Sequence, residues 1–322
     1  MPFNSQISRT DASPLIPQEV SNEIIKSVAE TGTLLRLARR LPNMSSAQKR
    51  MPVMSALATA YFVNGDTGLK QTSALDWTNK YIDAEELAVI VPIPEAVLDD
   101  SQYPIWDEVK PELIAAINVA VTQAVLYGTN IPASWTTNLG AAGLIAGALA
   151  ASQQISLADY TDLYEAILGE KDDETTGLLG LLEADGFLAN AHLAHTSMRR
   201  KLRNVRDQKG QPIFLPSMQV RGQYDLDGAP CEFPLDGSLD STYLLISGQW
   251  NQLVYSIRQD ITWKILSEAV IQDGTGAIVY NLAQQDMVAL RAVIRLGFAL
   301  PNPINRMNPT AATRYPFATL TD

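Results

Sequence analysis

The clearest periodic pattern in the chain follows Pro104. Apolar residues recur there at a spacing of four until Gly128, namely Ile105, Val109, Leu113, Ile117, Val121 and Val125. This spacing is typical of one face of an amphipathic helix. We therefore predict a helix over 104–127, about 35 Å long at 1.5 Å per residue. Pro104 suits its first position, and Pro111 should bend it.

Two segments before this helix also carry clear patterns. Residues 18–41 place apolar side chains on one side and Arg36, Arg39 and Arg40 in the last turn, where cations suit the helix dipole. This predicts a helix. The apolar run LAVIVPI at 87–93 is continuous and short, which is typical of a buried strand.

Between these segments, the sequence YFVNGDTGLKQTS at 61–73 predicts a hairpin with a β-favouring entry. Asn64 and Gly65 form the pair best suited to its tight turn, because both central positions need positive φ. The exit at 68–73 is polar on both faces, unlike a strand that lies on its own core. The sequence alone leaves open what this hairpin contacts.

The second half of the chain contains two regions with different hydrophobic patterns. Residues 131–250 mix short segments with turns, which predicts an α+β lobe with helices at 157–168 and 187–205. From residue 252 the chain becomes strand-like, and the run at 287–300 is almost wholly apolar. We expect these last strands to pack back against the first part of the chain, so that the second lobe is an insertion.

Composition supports a folded protein. The chain has 322 residues, 46% of them hydrophobic and 18% charged, enough for one large or two interlocked domains. The N-terminus has no apolar signal segment, and the apolar run at 139–151 reaches only about 20 Å as a helix, too short for a bilayer. We expect a buried helix or loop there and no membrane association. The single Cys231 excludes an intrachain disulfide framework and fits a reducing compartment.

Charge is distributed unevenly. The net charge of −11 argues against nucleic-acid binding as a main task. Residues 159–185 are strongly acidic and residues 198–209 strongly basic. Two interpretations stay open: two solvated faces, or patches that meet across a head-to-tail subunit contact. The second makes these residues contact candidates: Asp172, Asp173, Glu174, Arg199, Arg200 and Arg203.

The chain lacks an enzyme signature. His192 and His195 lie three apart in a predicted helix, without the four-residue spacing and intervening glutamate of a zinc protease. If Cys231 were a nucleophile, it would need His192 or His195 as its base. A lone intracellular cysteine is usually a small, buried apolar residue. Phosphate-binding and nucleophile-elbow motifs are missing from the sequence. We expect no cofactor and no metal, and keep a soluble enzyme only as an alternative.

The order of the parts carries a resemblance. An arm ending in LIP precedes the first helix, PEAVLDDS follows a strand, and the long helix ends in LYG. The closing segments read VYSIRQDITWKILSEAV at 254–270 and YNLAQQDMVALRAVIRLGFALPNP at 280–303. Taken together, they resemble the tailed-bacteriophage major capsid proteins of the Hong Kong 97 type. The resemblance covers nearly the whole chain and implies the α+β fold of that family.

The resemblance also implies a division of the chain: an N-terminal arm at 1–20, a helix on the P-domain side at 21–49, an E-loop at 50–80, a P-domain at 81–130 with its spine helix at 104–127, an A-domain at 131–250, and closing strands with a C-terminal tail at 251–322. In this family the E-loop lies over the neighbouring subunit. The predicted hairpin is then expected to contact that neighbour through Phe62, Asn64, Asp66 and Lys70.

Some members of this family crosslink their shells, joining an E-loop lysine to an asparagine with a glutamate as base. Alignment by the motif IRLGFALPNP puts Lys70 at the lysine position, Asp286 at the asparagine position and Val293 at the glutamate position. A carboxylate cannot supply the displaced amide, and valine cannot move a proton. We expect no autocatalytic crosslinking, and a salt-bridged or solvated Lys70.

The function implied is that of a major capsid protein, not an enzyme. Such a protein assembles with itself into pentamers and hexamers of an icosahedral head, which encloses double-stranded DNA without reading its sequence. Few residues precede the LIP motif, so scaffolding would come from a separate protein or be unnecessary. Portal and decoration proteins are further expected partners, and the virion, assembled in the host cytoplasm, is the expected location. A cellular nanocompartment shell of the same fold is the closest alternative.

Overall fold

The computed structural model of the chain describes residues 32–63, 69–70, 72–100, 105–170, 177–206, 209–211 and 224–322. Its helices are α1 Thr33–Leu37, α2 Glu95–Asp100, α3 Ile105–Tyr127, α4 Ala133–Leu139, α5 Leu144–Ala150, α6 Leu163–Leu168, α7 Leu178–Ala184 and α8 Thr196–Asn204. Its strands are β1 Arg39–Arg40, β2 Gln48–Ala56, β3 Asp76–Asp83, β4 Glu85–Pro94, β5 Gln154–Ser156, β6 Ala191–Ala194, β7 Tyr224–Leu226, β8 Ala229–Glu232, β9 Tyr243–Gly248, β10 Val254–Leu266, β11 Val270–Gln272, β12 Ile278–Asn281, β13 Met287–Ala299 and β14 Phe317–Thr321.

A four-stranded sheet in the order β1-β10-β13-β4 joins two early strands of the chain with two strands that follow residue 252. β13 pairs antiparallel with both β10 and β4, so the strands after residue 252 do pack against the first part of the chain. Side chains of α3, such as Val121 and Val125, share one core with Ala292 and Ile294 of β13. β4 and α3 thus precede the lobe predicted at 131–250, and β10 and β13 follow it, whereas the division into domains stays a prediction.

A six-stranded sheet in the order β5-β14-β9-β6-β8-β7 forms the second lobe. Alternate residues of its strands enter different cores: Ile246 packs into the core shared with α3, and Leu245 into a second core under α6, α7 and α8. β14 belongs to this sheet and pairs with β9 and β5. The expectation that 251–322 returns wholly to the first part is wrong for β14, because Phe317 and Ala318 fill these two cores.

The first predicted helix ends earlier in the chain than residue 41, where the sequence pattern places its end. α1 ends at Leu37, and Arg39 and Arg40 form β1, which pairs in parallel with β10. The Arg39 amide donates to the Leu253 carbonyl at 2.9 Å, so its hydrogen bond goes to the sheet instead of a last helical turn. The placement of Arg39 and Arg40 in that turn is wrong. Residues 18–31 lie outside the described part of the chain.

The helix predicted from the four-residue spacing is confirmed as α3. Pro104, its predicted first residue, lies outside the described residues. Gly128 follows its last residue with φ of +72°, and a Cβ there would come within 2.8 Å of the Ala142 carbonyl carbon. By length and composition alone Val109–Tyr127 could cross a membrane, yet Val125 and Leu126 are fully buried in the core. The segment therefore acts here as a core helix.

Two other predictions need correction. The run at 87–93 is a strand within β4, but partly buried and exposed residues alternate along it and only Ile93 is buried. β4 is an edge strand, and Ile90 on its outer face is 41% exposed. The helix predicted at 157–168 is a 3₁₀ turn, Leu157–Asp159, followed by the separate helix α6.

The predicted helix at 187–205 is also wrong in its first half. Ala191–Ala194 is a buried strand between β9 and β8, and only Thr196–Asn204 is helical. Pairing on both sides satisfies its backbone, which outweighs local helical propensity. His192 therefore lies in a strand and His195 caps α8, so the two histidines do not share a helix face.

Candidate intersubunit surface

β2 and β3 form a separate two-stranded ribbon, paired antiparallel from Gln48 opposite Asp83 to Ala56 opposite Asp76. The antiparallel pairing lies outside the hairpin predicted at 61–73, whose Asn64-Gly65 turn stays a prediction. Residues 57–63 form no strand, and the turn itself lies outside the described residues. An isolated two-stranded ribbon is marginally stable in water, so contacts beyond its own strands are needed to hold it.

The two faces of the ribbon differ. Ile82 is fully buried in a small core with Met51 beside it, and Val53 on the same face is also buried. The opposite face carries Trp77 and Tyr81, which are 62% and 38% exposed. Sequence reasoning missed this aromatic face, although the alternation of Trp77 and Tyr81 with polar residues along β3 could have revealed it.

The chain between the two ribbon strands exposes more apolar surface. Phe62 is fully exposed, Leu69 is 90% exposed, and Tyr61 and Leu75 are also exposed. Lys70 lies exposed next to Leu69, whereas Asn64 and Asp66 are outside the described residues. Large apolar side chains concentrated on one extended element mark an interaction surface.

The base of the ribbon is anchored through Asp83. Its carboxylate accepts hydrogen bonds from Gln48 Nε2 at 2.8 Å and Asn138 Nδ2 at 2.9 Å, and its carbonyl accepts one from Trp135 Nε1 at 3.1 Å. Farther out, an Arg306 guanidinium nitrogen donates to the Ala58 carbonyl at 2.9 Å. The chain thus fixes the direction of the ribbon while leaving its aromatic face uncovered by described residues.

The basic candidates have different surroundings. Arg199 is half-buried, and its guanidinium lies 4.5 Å from the centre of the Tyr224 ring in its own chain. Arg203 is exposed and donates to the Arg199 carbonyl at 3.3 Å, while Arg200 is exposed. The acidic candidates Asp172, Asp173 and Glu174 lie outside the described residues, so whether the patches meet across subunits stays a prediction.

Two of the enzyme candidates, Cys231 and His192, are buried inside the second lobe, whereas His195 is half-buried and its Nδ1 lies 2.8 Å from the Ser197 hydroxyl. Cys231 in β8 lies opposite His192 in β6, and burial raises the pKa of its thiol to about 12. His192 Nε2 lies 3.0 Å from the Leu226 carbonyl, which can only accept, so Nε2 carries the proton. Nδ1 then accepts from the Ser247 hydroxyl at 2.8 Å. Burial lowers the pKa of His192, and neither ring nitrogen is free to act as a base for the thiol.

The positions aligned with the crosslinking residues are also described. Asp286 precedes β13 with φ of +46°, and its carbonyl accepts the Glu95 amide at 2.8 Å. Val293 is buried in the middle of β13, and Lys70 is exposed between the ribbon strands. Among the described residues, no group of three metal-binding side chains occurs. The feature that stands out among the described residues is the exposed apolar surface of the ribbon.

Comparison with known proteins agrees with this geometry. The model of the phage capsid family matches residues 12–305. The chain belongs to the phage capsid family. A curated relative, the major capsid protein of Staphylococcus phage 80alpha, is 28% identical over 288 residues, covering 86% of this chain and 79% of the relative.

Solved structures resemble this capsid protein over most of its length. A chain from Microbacterium phage Oxtober96 is 33% identical with a TM-score of 0.76, covering 90% of this chain and 91% of that one. A chain from Mycobacterium phage Bobi is 27% identical with a TM-score of 0.71, covering 98% and 99%. The fold is of the Hong Kong 97 type, and the protein is a major capsid protein, a structural subunit of a tailed-phage head.

Proposed function

We propose that this capsid protein assembles into hexamers and pentamers in which the ribbon of each subunit lies over its neighbour. The observation that carries the proposal is the exposed aromatic face with Trp77 and Tyr81, which the described residues that anchor the ribbon leave uncovered. Aromatic side chains are enriched at protein interfaces, and obligate interfaces are large and apolar. A second copy of the chain is therefore the partner that this face fits.

The sheets support a division into the domains of the family. We assign β2, β3 and the chain between them to the E-loop, and the four-stranded sheet with α3 to the P-domain. We assign the six-stranded sheet with α6, α7 and α8 to the A-domain. β14 goes with this A-domain because it pairs with β9 and β5. Residues 1–20 are assigned to the N-terminal arm.

The role we infer is non-enzymatic. Cys231 and His192 are buried and mutually unsuited to catalysis, and the match is to a capsid family. The net charge of −11 suits a container that encloses double-stranded DNA without adhering to it. A separate scaffolding protein, a portal and a decoration protein are the further partners that we propose, with assembly in the host cytoplasm. The family match favours this viral role over a nanocompartment shell.

The test is negative-stain electron microscopy of the purified chain expressed alone, after size-exclusion chromatography. We expect closed particles, tubes or separate capsomers, and closure without other proteins would show independence from scaffolding. A folded monomer of 35.1 kDa under every assembly condition, with or without a co-expressed scaffolding protein, would contradict the proposal. It would also leave the aromatic face of the ribbon without a partner.

A further inference from the structure

The chain passes from one large sheet to the other through a connecting segment without helix or strand, residues 300–316. β13 of the four-stranded sheet ends at Ala299, and β14 of the six-stranded sheet begins at Phe317. Within this connecting segment, the consecutive residues 304–306 contact two different parts of the subunit. Two of them bind the ribbon, and the one between them binds the second lobe.

The contacts with the ribbon lie far from its base. The Ile304 amide donates to the Met54 carbonyl at 3.4 Å, and an Arg306 guanidinium nitrogen donates to the Ala58 carbonyl at 2.9 Å. Met54 is separated from Gln48 at the base by about 20 Å of strand, at 3.3 Å per residue. A contact far along an extended element restricts its angle more than a contact at its base does. The connecting segment therefore controls the angle of the ribbon.

Asn305 joins this segment to the second lobe. Its Nδ2 donates to the Asp185 carbonyl at 2.6 Å, and its Oδ1 accepts from the Asn308 amide at 2.8 Å. A backbone carbonyl can only accept and a backbone amide can only donate, so these two partners fix the orientation of the side-chain amide. Gly186 lies so close that a Cβ there would come within 3.2 Å of Asn305 Nδ2. The end of α7 therefore packs directly against the connecting segment.

The residues around this contact are themselves tied together. The buried Asp185 carboxylate accepts from Asn308 Nδ2 at 2.6 Å and from the Tyr315 amide at 2.9 Å. The Arg314 guanidinium, which is also buried, donates to the Asn302 carbonyl at 3.0 Å and to the Asn308 carbonyl at 2.9 Å. These bonds link the two ends of the connecting segment to each other and to Asp185, so the segment should follow α7 as one unit.

We propose that Asn305 is a positioning residue, which holds the ribbon at one angle to the second lobe. Ile304 and Arg306 attach the segment to the ribbon, and the Asn305 hydrogen bond attaches it to the end of α7. Without that bond the ribbon would keep its base but could turn about it. A fixed angle presents Trp77 and Tyr81 in one direction, which reduces the entropy lost on contact with a second copy. The inference rests on the proposed function and adds how the ribbon surface is preorganised.

Distance measurements by pulsed electron paramagnetic resonance test the inference in the unassembled subunit. Spin labels at two exposed positions, Asn79→Cys in β3 and Asn204→Cys in α8, report the angle between the ribbon and the second lobe. The native Cys231 is buried and should stay unlabelled. Asn305→Ala should broaden the distance distribution. Asn251→Ala, at an exposed asparagine outside the connecting segment, is the matched control and should leave the distribution unchanged.

A second variant separates this role from a local one. The carboxylate of Asn305→Asp keeps an acceptor for the Asn308 amide but cannot donate to the Asp185 carbonyl. If Asn305 positions the ribbon, Asn305→Asp should broaden the distribution as Asn305→Ala does. If Asn305 only shapes its own turn, Asn305→Asp should match the wild type, and this result would overturn the inference. A wild-type distribution in both variants would overturn it as well.

Assembly measures what the fixed angle contributes to the head. We expect Asn305→Ala to raise the critical concentration roughly three- to tenfold, the loss that corresponds to one hydrogen bond, and Asn251→Ala to leave it unchanged. A broadened distribution with unchanged assembly would overturn the role in preorganisation while leaving the proposed function intact. If the wild type failed to assemble under every condition, the proposed function would be contradicted, and the distance measurement would still decide whether Asn305 holds the ribbon.

Discussion

Asp83 lies so close over Gly297 that a Cβ at position 297 would come within 2.9 Å of the Asp83 carbonyl carbon. The same Cβ would meet Ile82 Cγ2 at 2.7 Å. The base of the ribbon thus rests directly on the backbone of β13, where Gly297 pairs with Ser256 of β10 and the pairing with β4 has just ended at Leu296. Close approach of two backbones is the situation in which only glycine fits.

Replacing Gly297 with alanine should therefore destabilise the subunit. We expect Gly297→Ala to lower the free energy of unfolding by about 1–3 kcal/mol, the usual cost of overpacking, as measured by denaturant titration. Gly274→Ala is the control, because a Cβ at Gly274 meets nothing within 4 Å. Equal stability of the two variants would show that the ribbon base tolerates displacement.

Truncating Trp77 should weaken assembly without weakening the fold. Because the side chain is 62% exposed in the subunit, Trp77→Ala should change its unfolding free energy by less than about 0.5 kcal/mol. A central interface tryptophan contributes about 2 kcal/mol or more, so the critical concentration should rise roughly thirtyfold. Leu235→Ala removes a similarly exposed apolar side chain outside the ribbon. Light scattering during assembly measures the difference, and equal behaviour of both variants would contradict the proposed role of the ribbon.

His192 should make the subunit less stable in mild acid. Burial holds its pKa below the ordinary value of 6.5, so between these two values the unfolded chain binds more protons than the folded chain. The contribution of neutral His192 to the free energy of unfolding is therefore fully present above pH 6.5, and it is lost as the pH falls below that value. Unfolding titrations across this range should show a steeper loss for the wild type than for His192→Gln. If the free energy of unfolding fell equally with pH in both proteins, protonation of the His192 imidazole would not destabilise the folded state, which would contradict the prediction.

Assembled heads should contain no covalent links between subunits. Asp286 and Val293 lack the amide and the base that joining to Lys70 would need. On a denaturing gel with reducing agent, we expect one band at the 35.1 kDa of the single chain. A second sample without reducing agent identifies any disulfide through Cys231. A ladder that persists under reduction would contradict the prediction.

Local patterns in the sequence determined the elements whose periodicity is strong. The four-residue spacing before Gly128 predicts α3, and the apolar runs predict β4 and β13, because side-chain period alone distinguishes these elements when they are long. The ordered motifs were specific enough to indicate the capsid fold. The aromatic face of the ribbon was not predicted, although Trp77 and Tyr81 alternate with polar residues along β3.

Tertiary structure decided the elements that depend on distant partners. Ala191–Ala194 is a strand because it pairs with both β8 and β9. Arg39 lies in a strand and not in the predicted helix because its amide donates to the Leu253 carbonyl. β14 belongs to the second sheet because Phe317 and Ala318 pack into two different cores. Short segments of this kind carry too little local preference to outweigh hydrogen bonds and burial supplied by the rest of the chain. Local periodicity is thus sufficient to predict the long elements, and their order indicates the family. The secondary structure of the short segments depends on hydrogen bonds and burial that only the folded chain supplies.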